Sequence, residues 1–297
     1  MKFGHHLTHM ELSNKKIIEL EAKANDIRVS IIEMLVKAGS GHTAGPLGMA
    51  DIFTALYFHT LNHKPSDPSW PERDRVVLSN GHICPVLYST LAHAGYLPLT
   101  ELATLRQFGS RLQGHPHRDF LPMLETSSGP LASGLSQAVG MALADKIDTN
   151  LTSERRVYCL MSDGELESGQ IWEAAMLAGK EKLHNLVGVI DRNNIQIDGY
   201  TEDVMPLENL RAKWEAWNWY VIEIDGHNME EIIDAFDKAK TIFGQPTVII
   251  AHTIPGKGVK EFERDYRWHG KPPTPKETKM ALRELRTLGG KIKSEHE

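Results

Sequence analysis

Apolar residues first recur at helical spacing over residues 13–38, where Ile17, Ile27, Ile31, Met34 and Leu35 fall mostly on one face and Gly39 supplies a stop. The pattern predicts a long amphipathic opening helix. A second apolar helix is expected over about 49–61, after the loop SGHTAGPLG, and the stretch KPSDPSWPERD then breaks regularity. The run RVVL (75–78) reads as a buried strand ending at the turn SNGH, with helix resuming over 85–93. RVYCLM (156–161), NLVGVID (185–191), WYVIEID (219–225) and PTVIIAHT (246–253) read as further strands. Helices are expected over 100–108, 135–147, from the turn SDG through 183, and 229–242. Strands and helices alternating at these lengths predict an α/β fold, a doubly wound and mostly parallel sheet with helices on both faces.

Two stretches do not fit that alternation. Residues 109–136 are rich in Gly, Pro, Ser and His with little periodicity, and so long a loop inside a compact domain is uncommon unless it is functional. After His269 the chain runs through KPPTPKET into a charged helix, so 271–297 is expected to be a linker or docking helix appended to a domain spanning 13–270. Residues 1–12 read as a flexible leader; His5, His6 and His9 could cluster on a metal, but a leader or cloning remnant is the favoured reading.

Charge narrows the function classes. With 33 Lys plus Arg against 39 Asp plus Glu, the net charge of −6 offers no concentrated basic face for nucleic acid. Hydrophobic residues at 41% and charged residues at 24% exclude a disordered chain and allow a sizeable core. Cys84 and Cys159 are too few for a disulfide framework, no run approaches the ~18 apolar residues that span a bilayer, and no signal-peptide stretch opens the chain. A cytoplasmic protein working in reducing conditions is expected, with neither membrane nor nucleic acid as partner.

In an open parallel sheet, ligands bind beyond the carboxyl ends of the strands. The polar residues at those ends are Asn80, Gly81 and His82, then Asp163 and Gly164, then Asn193 and Asn194, and finally His252. Asp163 and Asn193 stand 30 residues apart across one strand-helix-strand crossover, which brings them to one edge beside a helix N-terminus. A carboxylate, an amide and a backbone carbonyl there suit a divalent cation, and the helix N-terminus suits a diphosphate. Either pair alone is an ordinary turn former; both together on consecutive strands favour a metal-diphosphate site.

The string SDGELESGQIWEAAMLAGKEKLHNLVGVIDRNNIQIDG resembles the thiamine-diphosphate motif, Gly-Asp-Gly followed by Asn about thirty residues on, in its transketolase form. KAGSGHTAGPLGMADI, DRVVLSNGHICPVLYSTLAHAGY, LQGHPHRDFLPMLETSSGPLASGLSQAVGMALADK and IPGKGVKEFERDYRWHGKPP are similar, in the same order, to the N-terminal diphosphate-binding domain of transketolases. The resemblance runs from about 27 to 273 and implies the N-terminal subunit of a split transketolase. Such an enzyme transfers a two-carbon ketol unit from a ketose phosphate to an aldose phosphate through a thiamine-diphosphate carbanion, chemistry of the pentose phosphate pathway.

Carried over residue by residue, the resemblance implies that Asp163, Asn193 and the Ile195 carbonyl hold Mg²⁺ or another divalent cation such as Ca²⁺. Gly164 and His82 would meet the diphosphate, Gly129, Pro130 and Leu131 would lie against the cofactor, and His269 would sit near the diphosphate and reacting carbon. His42 and His115 would face the substrate. Histidines suit such proton exchange near neutral pH. It also implies a partner, a C-terminal chain carrying the pyrimidine-binding domain and its glutamate, in a heterotetramer with two copies of each chain. Four departures stand out: Ser162 replaces the first glycine of the motif, Ser168 stands where a glutamate is common, with Glu167 one place earlier, SGHPGG is SGHTAG here, and Ala132, Ser133 and Gly134 replace Gly-Gln-Gly. An α-subunit of a 2-oxoacid dehydrogenase, a deoxyxylulose-phosphate synthase fragment and a non-catalytic regulatory homologue are the alternatives.

Overall fold

The computed structural model describes residues 14–149 and 154–287, so the leader with His5, His6 and His9 lies outside the described residues. Helix α1 (Asn14–Ala38) buries Leu20, Ala24, Ile27, Ile31, Met34 and Leu35, and ends where Gly39 turns left-handed at φ +63°. Two short helices follow, α2 (Ala44–Gly48) and α3 (Ala50–Ala55), every residue of which is buried. The helix expected over 49–61 is shorter than its pattern, because beyond Ala55 the chain widens into a π turn over Leu56–Thr60 closed by the Leu61 N–H on the Leu56 carbonyl.

Strand β1 (Arg75–Leu78) leads through a 3₁₀ turn, Gly81–Ile83, into α4 (Cys84–His93). The helix expected over 100–108 is only a 3₁₀ turn, Leu99–Thr104, since Arg106 and Gly109 adopt positive φ and cannot continue it. Next come α5 (Ser133–Thr149), β2 (Val157–Ser162), a 3₁₀ turn at Gly164–Glu167, α6 (Gly169–Lys180) and β3 (Leu186–Arg192). The sequence pattern missed the elements that follow β3: a hairpin of β4 (Ile195–Gln196) and β5 (Gly199–Tyr200), then α7 (Thr201–Val204) and α8 (Leu210–Ala216). They are too short to show a period. The chain closes with β6 (Tyr220–Asp225), α9 (Met229–Thr241), β7 (Thr247–His252) and α10 (Pro275–Thr287). Helix α10 packs on α1, with Ala281 and Leu285 buried and the Asn25 amide donating to the Leu285 carbonyl at 3.0 Å.

The five long strands form one parallel sheet in the order β1-β2-β3-β7-β6, the α/β class that the buried runs predicted. Strand side chains alternate between its faces. Tyr158, Leu160, Val187, Val189, Ile249 and Ala251 pack in a core with α1, α3, α4 and α9. Val157, Cys159, Met161, Ile190, Val248 and Ile250 pack in a second core with α5, α6 and the fully buried Trp214. Both faces are therefore covered, which explains strands that are apolar throughout.

Helix α6 lies very close to the turn before β6. The Trp219 indole donates to the Ala175 carbonyl at 3.0 Å, and a Cβ on Gly179 would sit 1.9 Å from the Trp217 carbonyl oxygen. Gly179→Ala should therefore destabilise the fold by about 3 kcal/mol, read as a lower urea midpoint. An unchanged midpoint would mean that α6 can lift off this turn freely.

Candidate active site

The carboxyl edge of the sheet carries two groups of polar residues. The first comprises three histidines, each delivered by a tight turn. His42 follows Gly41, whose φ is +125°; His82 sits in the 3₁₀ turn after β1; and His269 follows the buried Trp268, whose ring centroid lies 3.8 Å from that of Phe262. The ring centroids of His42 and His82 are 4.8 Å apart, those of His82 and His269 5.2 Å, and those of His42 and His269 5.5 Å. Burial, with the nearby His269 and Arg106, lowers His42 from 6.5 to about 4. Burial and the neighbouring histidines push His82 well down, and burial lowers His269. The lowered values favour the neutral imidazole at pH 7, a form that can accept a hydrogen bond from a ligand.

His115 lies outside this trio, exposed, and its pKa is lowered by partial burial and by Arg106. Nδ1 of His42, Nδ1 of His269 and both amide atoms of Asn80 are buried without a protein hydrogen-bond partner. Buried polar atoms are seldom left so. Together they form a surface suited to a polar ligand.

The second group surrounds Asp163, which has no solvent exposure. Its carboxylate accepts from the Gly164 N–H and the Asn194 N–H, both at 2.7 Å, and pairs with Arg192 at 3.1 Å. Burial nonetheless raises it to about 6, with Arg192 and the two N–H groups opposing. The Asn193 amide donates to Asp191 at 2.7 Å, and its oxygen accepts from the Ile195 N–H at 3.0 Å. Asp163, Asn193 and Ile195 thus converge from the ends of β2 and β3 and the start of β4. Carboxylate, amide and carbonyl oxygens suit a hard cation, and Oδ1 of Asp163 and Oδ1 of Asn193, which each accept one N–H, keep a second lone pair for it, whereas Oδ2 of Asp163 already accepts from both Asn194 and Arg192.

The loop before α5 links the two groups. Gly81 abuts it, a Cβ there lying 2.4 Å from the Ser128 side chain and 3.3 Å from the Gly129 nitrogen. Gly129 itself faces open space, Pro130 and Leu131 are exposed, and Ala132 is fully buried. On the far side Gly270 bridges His42 and the β4–β5 hairpin, its Cβ position lying 3.7 Å from His42 Nε2 and 3.5 Å from Ile197 Cδ1. His252 stands apart from both groups, hydrogen-bonded to Glu223 at 3.1 Å.

Sequence reasoning passed over Glu165, Arg192 and Arg106. An acidic residue in a turn or a basic one at a strand end is ordinarily solvated, and no spacing separates the buried cases from the rest. The histidines read as structural include His227, which is buried, bonded to Asp51 at 2.8 Å and accepts the Ile254 N–H at 2.7 Å.

A parallel sheet with oxygen ligands and neutral histidines on its carboxyl edge has the form of a ligand-binding α/β domain. The family model "Transketolase, thiamine diphosphate binding domain" matches residues 20–289, and the chain belongs to that family. The 6-deoxy-6-sulfo-D-fructose transketolase subunit of Clostridium sp. (strain MSTE9) is 42% identical over 92% of this chain and 98% of its own length. An apulose-4-phosphate transketolase subunit from Phocaeicola vulgatus is 40% identical over 94% of this chain and 97% of its own. Among solved structures, transketolase from Campylobacter jejuni superposes with a TM-score of 0.86 at 40% identity, over 91% of this chain but 43% of that one.

The histidine trio ties stability to pH. Between about 4 and 6.5 the unfolded chain takes up a proton at His42 that the folded chain refuses, so stability is full above 6.5 and falls as pH drops toward 4. His42 alone should account for on the order of 3 kcal/mol. The buried carboxyl of Asp163, raised to about 6, contributes with the opposite sign over the same range, so the test is a difference: between 6.5 and 4 the urea midpoint of the parent should fall relative to that of His42→Asn, and parallel pH profiles for the two proteins would exclude His42 as a source.

Proposed function

We propose that this chain is the diphosphate-binding subunit of a transketolase that moves a two-carbon ketol unit from a ketose bearing a distal anion to an aldose phosphate. The observation that carries the reading is the trio of closely packed, neutral histidines on the same sheet edge as the Asp163, Asn193 and Ile195 oxygens. The substrate class follows the names of the two relatives of matching length, one a sulfo-fructose and the other a phosphorylated apulose transketolase. Both names describe sugars with an acidic substituent.

Asp163, Asn193 and the Ile195 carbonyl would hold Mg²⁺ or a similar ion, Gly164 and His82 would receive the diphosphate, and the backbone of 129–131 would lie against the cofactor. Thiamine diphosphate, when bound, supplies the nucleophilic carbon and electron sink of ketol transfer. The chain's own residues do the rest. His42 and His269, with their unpartnered Nδ1 atoms, accept hydrogen bonds or protons from substrate hydroxyls, and His115 at the rim takes part where the substrate enters.

A second chain completes this site. The relatives spanned almost end to end are named as subunits, and the rim of the present site exposes Leu131 at 46% and Ile197 at 64%. Apolar side chains grouped beside a catalytic edge suit coverage by a pyrimidine-binding partner, two copies of each chain giving a closed, two-fold assembly. Among the described residues no helix is long and apolar enough to cross a membrane; with Cys84 and Cys159 both free, a reducing cytoplasm is the proposed setting.

Three outcomes test the reading. Asp163→Ala should abolish Mg²⁺-dependent thiamine-diphosphate binding in calorimetric titration of the assembled enzyme, and undiminished affinity would remove Asp163 from the metal site. His42→Ala and His115→Ala should lower ketol-transfer turnover by ~10² to 10⁴ with cofactor affinity little changed. The lone chain, freed of any partner, should turn over negligibly with magnesium and cofactor in excess; robust transfer by it would end the two-chain proposal.

A further inference from the structure

Glu165 is a buried carboxylate that the mechanism above does not use. It is 2% exposed, and its contacts among the described residues are N–H and O–H donors rather than cations. One oxygen, Oε2, accepts from the Ala132 N–H at 2.6 Å and from the Ser79 hydroxyl at 2.6 Å; the other, Oε1, accepts from the Ser162 N–H at 2.8 Å. It therefore joins three separate pieces of chain: the end of β1, the end of β2 and the loop that enters α5.

The loop residue it holds is the unusual one. Ala132 has φ +71°, a left-handed conformation disfavoured for an alanine by roughly tenfold, and it has no freedom to relieve this by exposure, being fully buried. Two residues on, Gly134 presses against β1, where a Cβ would meet the Ser79 side chain at 2.5 Å. Gly129, Pro130 and Leu131, the backbone read as lying against the cofactor, immediately precede this pinned residue.

We propose that Glu165 is a positioning residue for the cofactor: by accepting the Ala132 N–H it holds that alanine left-handed, and so fixes the 129–131 backbone in the shape that lies against the cofactor. The proposal rests on the reading that thiamine diphosphate binds along this loop. Glutamine at 165 keeps one acceptor oxygen but turns an NH₂ toward a donor, so either Ala132 or Ser162 loses its partner. Released, Ala132 relaxes toward negative φ and the loop before it shifts. A glycine at 132 would tolerate the left-handed conformation without the clamp.

The test is a cycle of four proteins, parent, E165Q, A132G and the double variant, each in the assembled enzyme. Thiamine-diphosphate dissociation constants are measured at saturating Mg²⁺, and melting temperatures without cofactor. E165Q should weaken binding at least tenfold, A132G alone less than twofold, and the double variant should regain threefold or more of the loss. A lowered melting temperature with unchanged affinity in E165Q, or equal losses with Ala and Gly at 132, would overturn the clamp. Should E165Q fail to assemble, E165D, which keeps the charge but withdraws it by one methylene, reads the same quantities. A parent enzyme that does not bind the cofactor would overturn the functional reading and this one together, whereas tight parental binding with an unaffected E165Q overturns the clamp alone.

Discussion

The carboxyl edge of the sheet is organised by the need to hold one carboxylate, Asp163, entirely out of water. A charge so placed is costly unless donors meet it in fixed positions. The Gly164 N–H comes from the turn after β2, and the Asn194 N–H is aimed by a left-handed φ of +63°. Arg192 brings the compensating cation, but it is itself 4% exposed and reaches on to Glu202 at 2.6 Å and Glu208 at 3.0 Å. One buried acid thus dictates a turn, a backbone conformation and a chain of ion pairs that pins α7 and the segment after it. Asn193 and Ile195 are carried into place by the same stretch of backbone.

The sheet and its order of chemistry were legible because they rest on local signals. Runs such as VYCLMS and LVGVID are buried on both faces and stand out from any surface segment, and the turns that follow them carry the polar residues in plain sight. A family resemblance picked out four of the fifteen histidines, and three of them, in SGH, NGH and WHG, stand together in the fold while His115 lies outside the trio. What escaped was set by distance in space. Nothing local shows that Glu165 faces Ala132 from 33 positions away, or that Arg192 turns inward; their burial is a property of the packed molecule. The π turn after α3 and the hairpin β4–β5 escaped for a different reason, since elements of two to five residues have no period to detect.

Departures from the family pattern acquire meaning once their surroundings are known. Ser162 keeps its backbone N–H on Glu165, so the residue change leaves that bond in place. Ala132 occupies a left-handed position where the family has glycine, and a carboxylate meets its N–H. Glu167, one place before the usual acidic position, accepts from Gln196 at 2.7 Å and so is engaged by the hairpin of its own chain. Substitutions that look like erosion in the linear sequence are thus accommodated by specific neighbours.

The two cores on opposite faces of the sheet do not share the site equally. Ala44, Ile83 and Trp268, next to His42, His82 and His269, belong to the core built on α1, α3 and α4. Ala132 and Leu166, on either side of the Glu165 contact, belong to the core built on α5 and α6. The histidine trio and the Glu165 contact are therefore anchored in separate bodies of hydrocarbon, with the strands as their common reference. The two bodies meet at the end of β1, where Ser79 bonds Glu165 and Gly81 abuts the loop of Ser128 and Gly129. An exchange of side chains under α1 thus acts first on the histidines, and whatever reaches the loop before α5 must pass through that one junction.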